Sequence, residues 1–197
     1  MLSSSEARVL TIGHSTRSLD DFIRLLAENS VRVVVDVRTV PRSRHNPQFS
    51  AGSLAASLPA AGLLYENRKD LGGLRHPRKD SPNGAWRNAS FRGFADYMQT
   101  EEFARAVDAL AARPANEPCA LMCAETLPWR CHRSLIADAL SVRGLRVVHI
   151  LGPGKTMPHS LTPWAAVEGL RITYPAASPA AGERPVEGSG PQPGTPG

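Results

Sequence analysis

Residues 119–133 read CALMCAETLPWRCHR. The first five are an apolar run of strand length ending at Cys123. Glu125 follows just past that end. A short connector, Thr126 to Arg130, contains Pro128 and Trp129. Cys131, His132 and Arg133 then open a segment with Leu135, Ile136, Ala139 and Leu140 at helical spacing. Gly144 stands where a helix C-cap belongs. Strand, tight connector and helix in that order are part of a βαβ unit. In such folds ligands collect where strands end and helices begin. A helix start offers free N–H groups and a partial positive charge, which favour anions and thiolates.

Outward from this stretch the alternation repeats. Arg8 to Ile12 is a strand-length apolar run ending at Gly13-His14-Ser15. Ser18 caps a helix whose stripe is Phe22, Leu25 and Leu26, with Asp20 and Asp21 in its first turn. Val31 to Val37, mostly β-branched, predicts a strand buried on both faces. Ser50 caps a short helix to about Ala61, and Leu63 to Glu66 reads as a third strand. Arg68 to Gly93 is a long loop, a kind that is usually functional or mobile. Phe91 to Met98 is helical by pattern, and Thr100 caps a further helix lined by Phe103, Val107 and Leu110. Pro114 and Pro118 break the chain before the Cys119 strand. Arg146 to Leu151 is a fifth strand, holding His149 as a core residue. The expectation is an α/β fold. It has one domain over 1–173, a core of about 8–151 and an extension over 152–173. A largely parallel five-stranded sheet carries helices on both faces, in a Rossmann-like three-layer architecture. Residues 174–197, rich in Pro and Gly, read as a disordered tail.

Composition narrows the function classes. No apolar run spans a bilayer, and the N-terminus lacks a signal-peptide core, so a cytoplasmic protein without a membrane partner is expected. Three cysteines argue for reduced thiols rather than a disulfide framework. The net charge of +5 is unevenly spread: Asp36 to Arg92 holds ten Lys/Arg against four Asp/Glu. An anionic small molecule or nucleic acid fits that surplus, and a basic surface serving solubility is the alternative. No Gly-x-Gly-x-x-Gly follows a strand, and no cofactor is expected. The Cys-x7-Cys-His spacing matches no common zinc pattern, so no metal site is expected either.

The motifs IGHS at 12–15, VDVR at 35–38, Pro41 and Ser43, LGG at 71–73, MCAE at 122–125 and CHR at 131–133 occur in one order. In this the chain resembles the bacterial and archaeal family called domain of unknown function 488, over roughly residues 8–151. That resemblance implies a fold and a motif set rather than a reaction. A weaker similarity runs to rhodanese-like sulfurtransferases, through VVDVR, CALMC with its loop and helix, and RVVHILGPG. The connector after Cys123 departs from the rhodanese pattern, because it is longer and contains Pro128, which lacks an N–H. The related phosphatase pattern wants Arg six positions after Cys, where this chain has Trp129.

Three strand ends are expected to share one sheet edge. They bring together His14 with Ser15, Asp36 with Arg38, and Cys123 with Glu125. One reading is a thiol-dependent enzyme of sulfur or phosphoryl-type transfer. Cys131 or Cys123 is then the nucleophile, and His14 or Glu125 moves the proton. Ser15, Asp36, Arg38, Arg42, Ser43 and Arg133 hold an anionic substrate. Cys119 reads as core, and His132 points away if Cys131 points in. The residue-level alternatives are an Asp36–Arg38 pair and a salt bridge from Glu125 to Arg38, Arg130 or Arg133. A second reading is a nucleotide or nucleic-acid binding module using the basic loops, with Trp86 and Tyr65 for stacking. A third is a scaffold whose motifs maintain a charged network.

Overall fold

The computed structural model describes residues 8–113 and 116–176. Pro114 and residues 177–197 of the expected tail lie outside them. The strands are β1 (Arg8–Gly13), β2 (Val33–Asp36), β3 (Leu64–Asn67), β4 (Cys119–Cys123), β5 (Arg146–Gly152), β6 (Lys155–Pro158), β7 (Ala166–Glu168) and β8 (Arg171–Thr173). The helices are α1 (Leu19–Glu28), α2 (Ala51–Ala60), α3 (Ala89–Tyr97), α4 (Glu101–Ala111) and α5 (Arg133–Ser141).

The fold is α/β with a largely parallel sheet, ordered β3-β2-β4-β1-β5-β6. The first five strands in that order run parallel. The expected count of five is corrected to six. The chain does not leave the sheet at Gly152-Pro153-Gly154 but turns back there, and β6 pairs antiparallel with β5. A turn of Gly and Pro is equally compatible with an exit and a hairpin, and the polar residues of β6 carry no strand signal. β7 and β8 form a separate two-stranded hairpin.

Alternation along the central strands builds two cores, one on each sheet face. Leu10, Ile12, Val34, Ala120 and Met122 pack with Phe22, Leu25 and Leu26 of α1 and with Leu54 and Leu58 of α2. Val9, Val33, Val35 and Leu121 pack with Phe94 of α3, Phe103 and Val107 of α4, and Leu135 and Ile136 of α5. The caps Ser18, Ser50 and Thr100 each accept the expected backbone N–H.

Two segments differ from expectation. The long loop after Arg68 is pinned to α3 by Asp96, which accepts from the Arg78 N–H, the Ser81 hydroxyl and the Asn83 amide. Tyr174, assigned to the tail by composition, is fully buried. Its hydroxyl donates to Asp138 at 2.7 Å, and its N–H donates to Asn83 at 2.8 Å. A single aromatic at the border of a Pro-rich stretch is swamped by its neighbours in any composition window.

The end of β1 meets the end of β4 so closely that Gly13 has no room for a side chain. A Cβ there would overlap the Glu125 carbonyl and the Thr126 backbone. Gly13→Ala is expected to destabilise by about 1–3 kcal/mol through overpacking against backbone that cannot yield. Equilibrium urea denaturation checks it, and an unchanged midpoint would show that the two strand ends are not in contact.

Candidate functional site

β2, β4 and β1 are neighbours, so their C-terminal ends lie side by side. From the β1 end, the His14 and Ser15 N–H groups donate to the Cys123 and Ala124 carbonyls, each at 2.9 Å. Ser15 takes a positive φ of 49° in doing so. Its side chain does not line the cavity that opens here; its carbonyl accepts from His14 Nδ1 at 2.9 Å.

Arg38 and Asp36 form a buried bidentate pair. Arg38 Nε donates to Asp36 at 2.8 Å, and Nη2 donates to the other carboxylate oxygen. Tyr65 adds its hydroxyl to Asp36 at 2.8 Å, and the Phe49 carbonyl takes a further Arg38 N–H. Arg38 Nη1 lies 3.2 Å from His14 Nε2. An arginine only donates, so His14 Nε2 accepts there and Nδ1–H serves Ser15. His14 is therefore held neutral, stacked on Phe49 at 4.3 Å. Burial and the neighbouring Arg38 charge lower its pKa to about 4. Both of its ring nitrogens are thereby occupied.

Cys131 is not the helix start the spacing predicts. Pro128–Arg130 form a turn of 3-10 helix, and Cys131 is extended at φ −137°, ψ 145°. His132 then caps α5 at φ −56°, ψ −13°. On a regular helix, adjacent side chains would diverge by about 100°. Here the backbone turns between them, and His132 Nδ1 lies 3.7 Å from Cys131 Sγ. The expectation that His132 points away is overturned. Its Nε2 donates to the Val37 carbonyl at 3.0 Å, which leaves Nδ1 aimed at the sulfur. Gly73 passes over this ring, where a Cβ would overlap it. That accounts for the second glycine of LGG.

The Cys123 and Cys131 sulfurs lie within 4.8 Å of each other, and their pKa values are pushed in opposite directions. The neighbouring Cys123 lies behind a pKa of Cys131 well below the ordinary thiol value, helped by His132 and Arg133 against the cost of burial. Cys123 is pushed up, by Cys131 and by burial. Cys119, alone in the core, is pushed up to about 11 by burial. The two sulfurs and His132 Nδ1 all lie within 4.8 Å of one another, close enough to meet one thiophilic ion. Sequence spacing does not reveal that cluster.

Arg133 is 1% exposed. Its Nη groups donate to Thr11 Oγ1 at 3.3 Å and to the Glu125 and Thr126 carbonyls. Its Nε has no partner, and no carboxylate pairs with it among the described residues. The Glu125 salt bridge considered from sequence is not formed with Arg38, Arg130 or Arg133. The Glu125 carboxylate instead meets the Leu127 N–H at 3.4 Å, while its carbonyl takes Arg133. Thr11 continues inward to His149 (2.7 Å), His159 (3.0 Å) and Asp138 (2.9 Å). His149, read as core, belongs to this relay.

A cavity of about 390 Å³ lies over these groups. Cys123, Cys131, His132, His14, Arg38 and Glu125 form its floor, while Arg42, Ser43 and Arg130 are polar groups of its wall. Val40, Leu74 and Phe91 give it an apolar wall. Arg42 and Arg130 make no ion pair among the described residues. Asp36 sits beneath Arg38 rather than in the cavity. Sequence reasoning missed Arg130, carried in by the 3-10 turn before Cys131, and Leu74 and Phe91, whose approach depends on the path of the long loop. Trp86 and Tyr65 are not free stacking platforms. Trp86 packs on Phe91 at 4.8 Å and Trp164 at 5.4 Å, and Tyr65 is tied to Asp36.

Fold and site together define a parallel α/β protein with a dithiol, an imidazole and several guanidiniums at the C-terminal edge of its sheet. A family model described as domain of unknown function DUF488 matches residues 18–140, and the chain belongs to that family. No curated protein and no solved structure matches it. No helix among the described residues is long and apolar enough to cross a membrane.

The lowered His14 pKa has a sign that can be tested. A free histidine titrates near 6.5 and folded His14 near 4, so between those values the unfolded chain binds more protons. His149, lowered to about 3 mainly by burial, acts in the same direction. Stability is fully present above the unfolded value and falls as pH drops through the window. The urea midpoint is expected to be lower at about pH 5 than at about pH 7, with a smaller difference in His14→Gln. Equal slopes in wild type and variant would remove His14 from the account.

Proposed function

We propose that the chain is a thiol-dependent transferase for anionic substrates, working in a reducing compartment such as the cytoplasm, with Cys131 as nucleophile. The observation that carries this reading is the buried Arg133 guanidinium, without a carboxylate partner among the described residues, next but one in sequence to Cys131, whose sulfur lies within 4.8 Å of that of Cys123. A buried charge demands an opposite one. A group able to supply it is a Cys131 thiolate, whose pKa is lowered by Cys123 first, then by His132 and Arg133. A thiolate there is both the counter-charge and the reactive form of the residue.

Roles follow from position. Arg42 and Arg130 draw in the anion, and Arg38 presents its remaining Nη1–H to it, held by Asp36, Phe49 and His14. Ser43 and the Glu125 carboxylate face the same space, and Glu125 is the group placed to move a proton. Sulfur and phosphoryl-type groups both suit such a nucleophile in a cationic pocket. A binding module for nucleotides or nucleic acid, without catalysis, is favoured only by Arg42 and Arg130, which lack acidic partners.

The test is alkylation of Cys123 and Cys131 across pH, read by mass spectrometry. Cys131 is expected to react at a constant rate down to below neutral pH, and Cys123 slowly. Arg133→Met should raise the pH at which the Cys131 rate begins to fall by about one unit, which is a tenfold loss of rate at the acid end of the profile. Iodoacetate should gain on iodoacetamide relative to free cysteine, and Arg42→Ala with Arg130→Ala should erase the gain. Ordinary titration of both thiols would defeat the thiolate reading. Salt-sensitive binding of oligonucleotides by such a protein would then favour the binding module.

A further inference from the structure

The two sulfurs do more than share a proton. Both line one cavity, they lie within 4.8 Å of each other, and the chain places them on separate elements, Cys123 at the end of β4 and Cys131 just before α5. Within the connector Arg130 donates to the Leu127 carbonyl at 3.1 Å, and Cys131 donates to Pro128 at 3.0 Å. The Cys123 thiol is kept protonated by its neighbour Cys131 and by burial, against the pull of the Glu125 N–H, so Cys123 is not placed as the primary nucleophile. What remains for it is attack on whatever Cys131 has become. The third thiol, Cys119, lies at the far end of β4 in the core and takes no part.

We propose that Cys131 and Cys123 are the attacking and resolving thiols of a dithiol that exchanges with a low-molecular-weight disulfide carrying anionic arms. This rests on the thiolate reading of Cys131 and gives that reading a substrate class. In the first step the Cys131 thiolate attacks one sulfur of the disulfide R–S–S–R. A Cys131–S–S–R bond forms, the R–S–S–R bond breaks, and R–S⁻ leaves. In the second step Cys123 gives its proton to the departed R–S⁻, and its sulfur attacks Cys131 Sγ. The Cys123–Cys131 bond forms and the second R–S⁻ leaves. The two protein thiols lose two electrons, and the small disulfide gains them. Arg42 and Arg130 at the cavity wall select anionic arms, while Val40, Leu74 and Phe91 pack against the methylene and sulfur atoms.

Arg133 sets the direction of this exchange. Oxidation removes the thiolate and leaves the buried guanidinium without a counter-charge, so the reduced pair is favoured. A dithiol whose reduced form is stabilised is a strong oxidant once oxidised. Arg133→Met should therefore make the internal disulfide harder to reduce.

The experiment uses the full chain and oxidised glutathione, a disulfide with four carboxylates on its arms, with cationic cystamine as the contrast. Wild type is expected to lose two hydrogens and yield a peptide pair joined through Cys123 and Cys131. Cys123→Ser and Cys123→Ala should both stop at a glutathionyl adduct on Cys131, and Cys131→Ser should give neither product. Oxidised glutathione should outrun cystamine, and Arg42→Ala with Arg130→Ala should reverse that order. Wild type that keeps the mixed disulfide, while Cys131 alkylates rapidly at neutral pH, overturns the resolving role and leaves the thiolate reading standing. Slow alkylation of Cys131 overturns both.

Discussion

A guanidinium buried without an acid is the constraint on which the site depends. Arg133 begins α5, points under the sheet edge and reaches β1 through Thr11 and the β4 exit through two carbonyls. Its charge is felt widely. It lowers the pKa of His14, Arg17 and His149 and favours the thiolate at both Cys123 and Cys131. Four of those five groups respond by staying neutral or by becoming anionic. In each case Arg133 acts beside a larger effect, burial for His14, Arg17 and His149 and the neighbouring sulfur for the two thiols.

The contrast with Arg38 shows why this is not simply a basic pocket. Arg38 is also buried, but Asp36 meets it with two oxygens, and Phe49 and His14 take most of what remains. Its charge is already neutralised, so it contributes a rigid donor rather than a demand for an anion. Arg133 has the reverse arrangement, with carbonyl and hydroxyl acceptors that orient it and cannot neutralise it. The relay through Thr11, His149, His159 and Asp138 ends in a carboxylate, which also accepts from Thr162 and Tyr174. That acid is fully engaged at the far end and does not reach Arg133.

The sheet was readable because burial on both faces writes itself into β-branched runs such as Val31 to Val37, and because helix caps are local chemistry. Ser18, Ser50 and Thr100 each act within three residues of themselves. Alternation placed His14, Arg38 and Cys123 at one sheet edge, and the strand order β2-β4-β1 is what brings them side by side. What could not be read depends on three-dimensional paths. Sixth-strand pairing rests on a turn, the burial of Tyr174 on contacts with Asn83 and Asp138, and the wall residues Leu74 and Phe91 on a loop pinned by Asp96. His132 was misjudged for a more specific reason. Spacing assumes one regular backbone, and the turn between an extended Cys131 and a helical His132 breaks that assumption.

That same break is what gives the cysteine its imidazole. Had α5 begun at Cys131, the ring of His132 would have rotated away and the thiol would have relied on the helix end and Arg133 alone. Instead Val37 of the β2 exit fixes one ring nitrogen, Gly73 of the long loop leaves room for the ring, and Phe94 of α3 supports its edge at 5.0 Å. Three separate elements thus hold a single side chain against Cys131 Sγ. An imidazole locked in this way cannot swing to another task, so its effect on the sulfur is set by the fold. His132 and Arg133 both favour the anionic form of Cys131, behind the larger effect of Cys123, whose own pKa is raised.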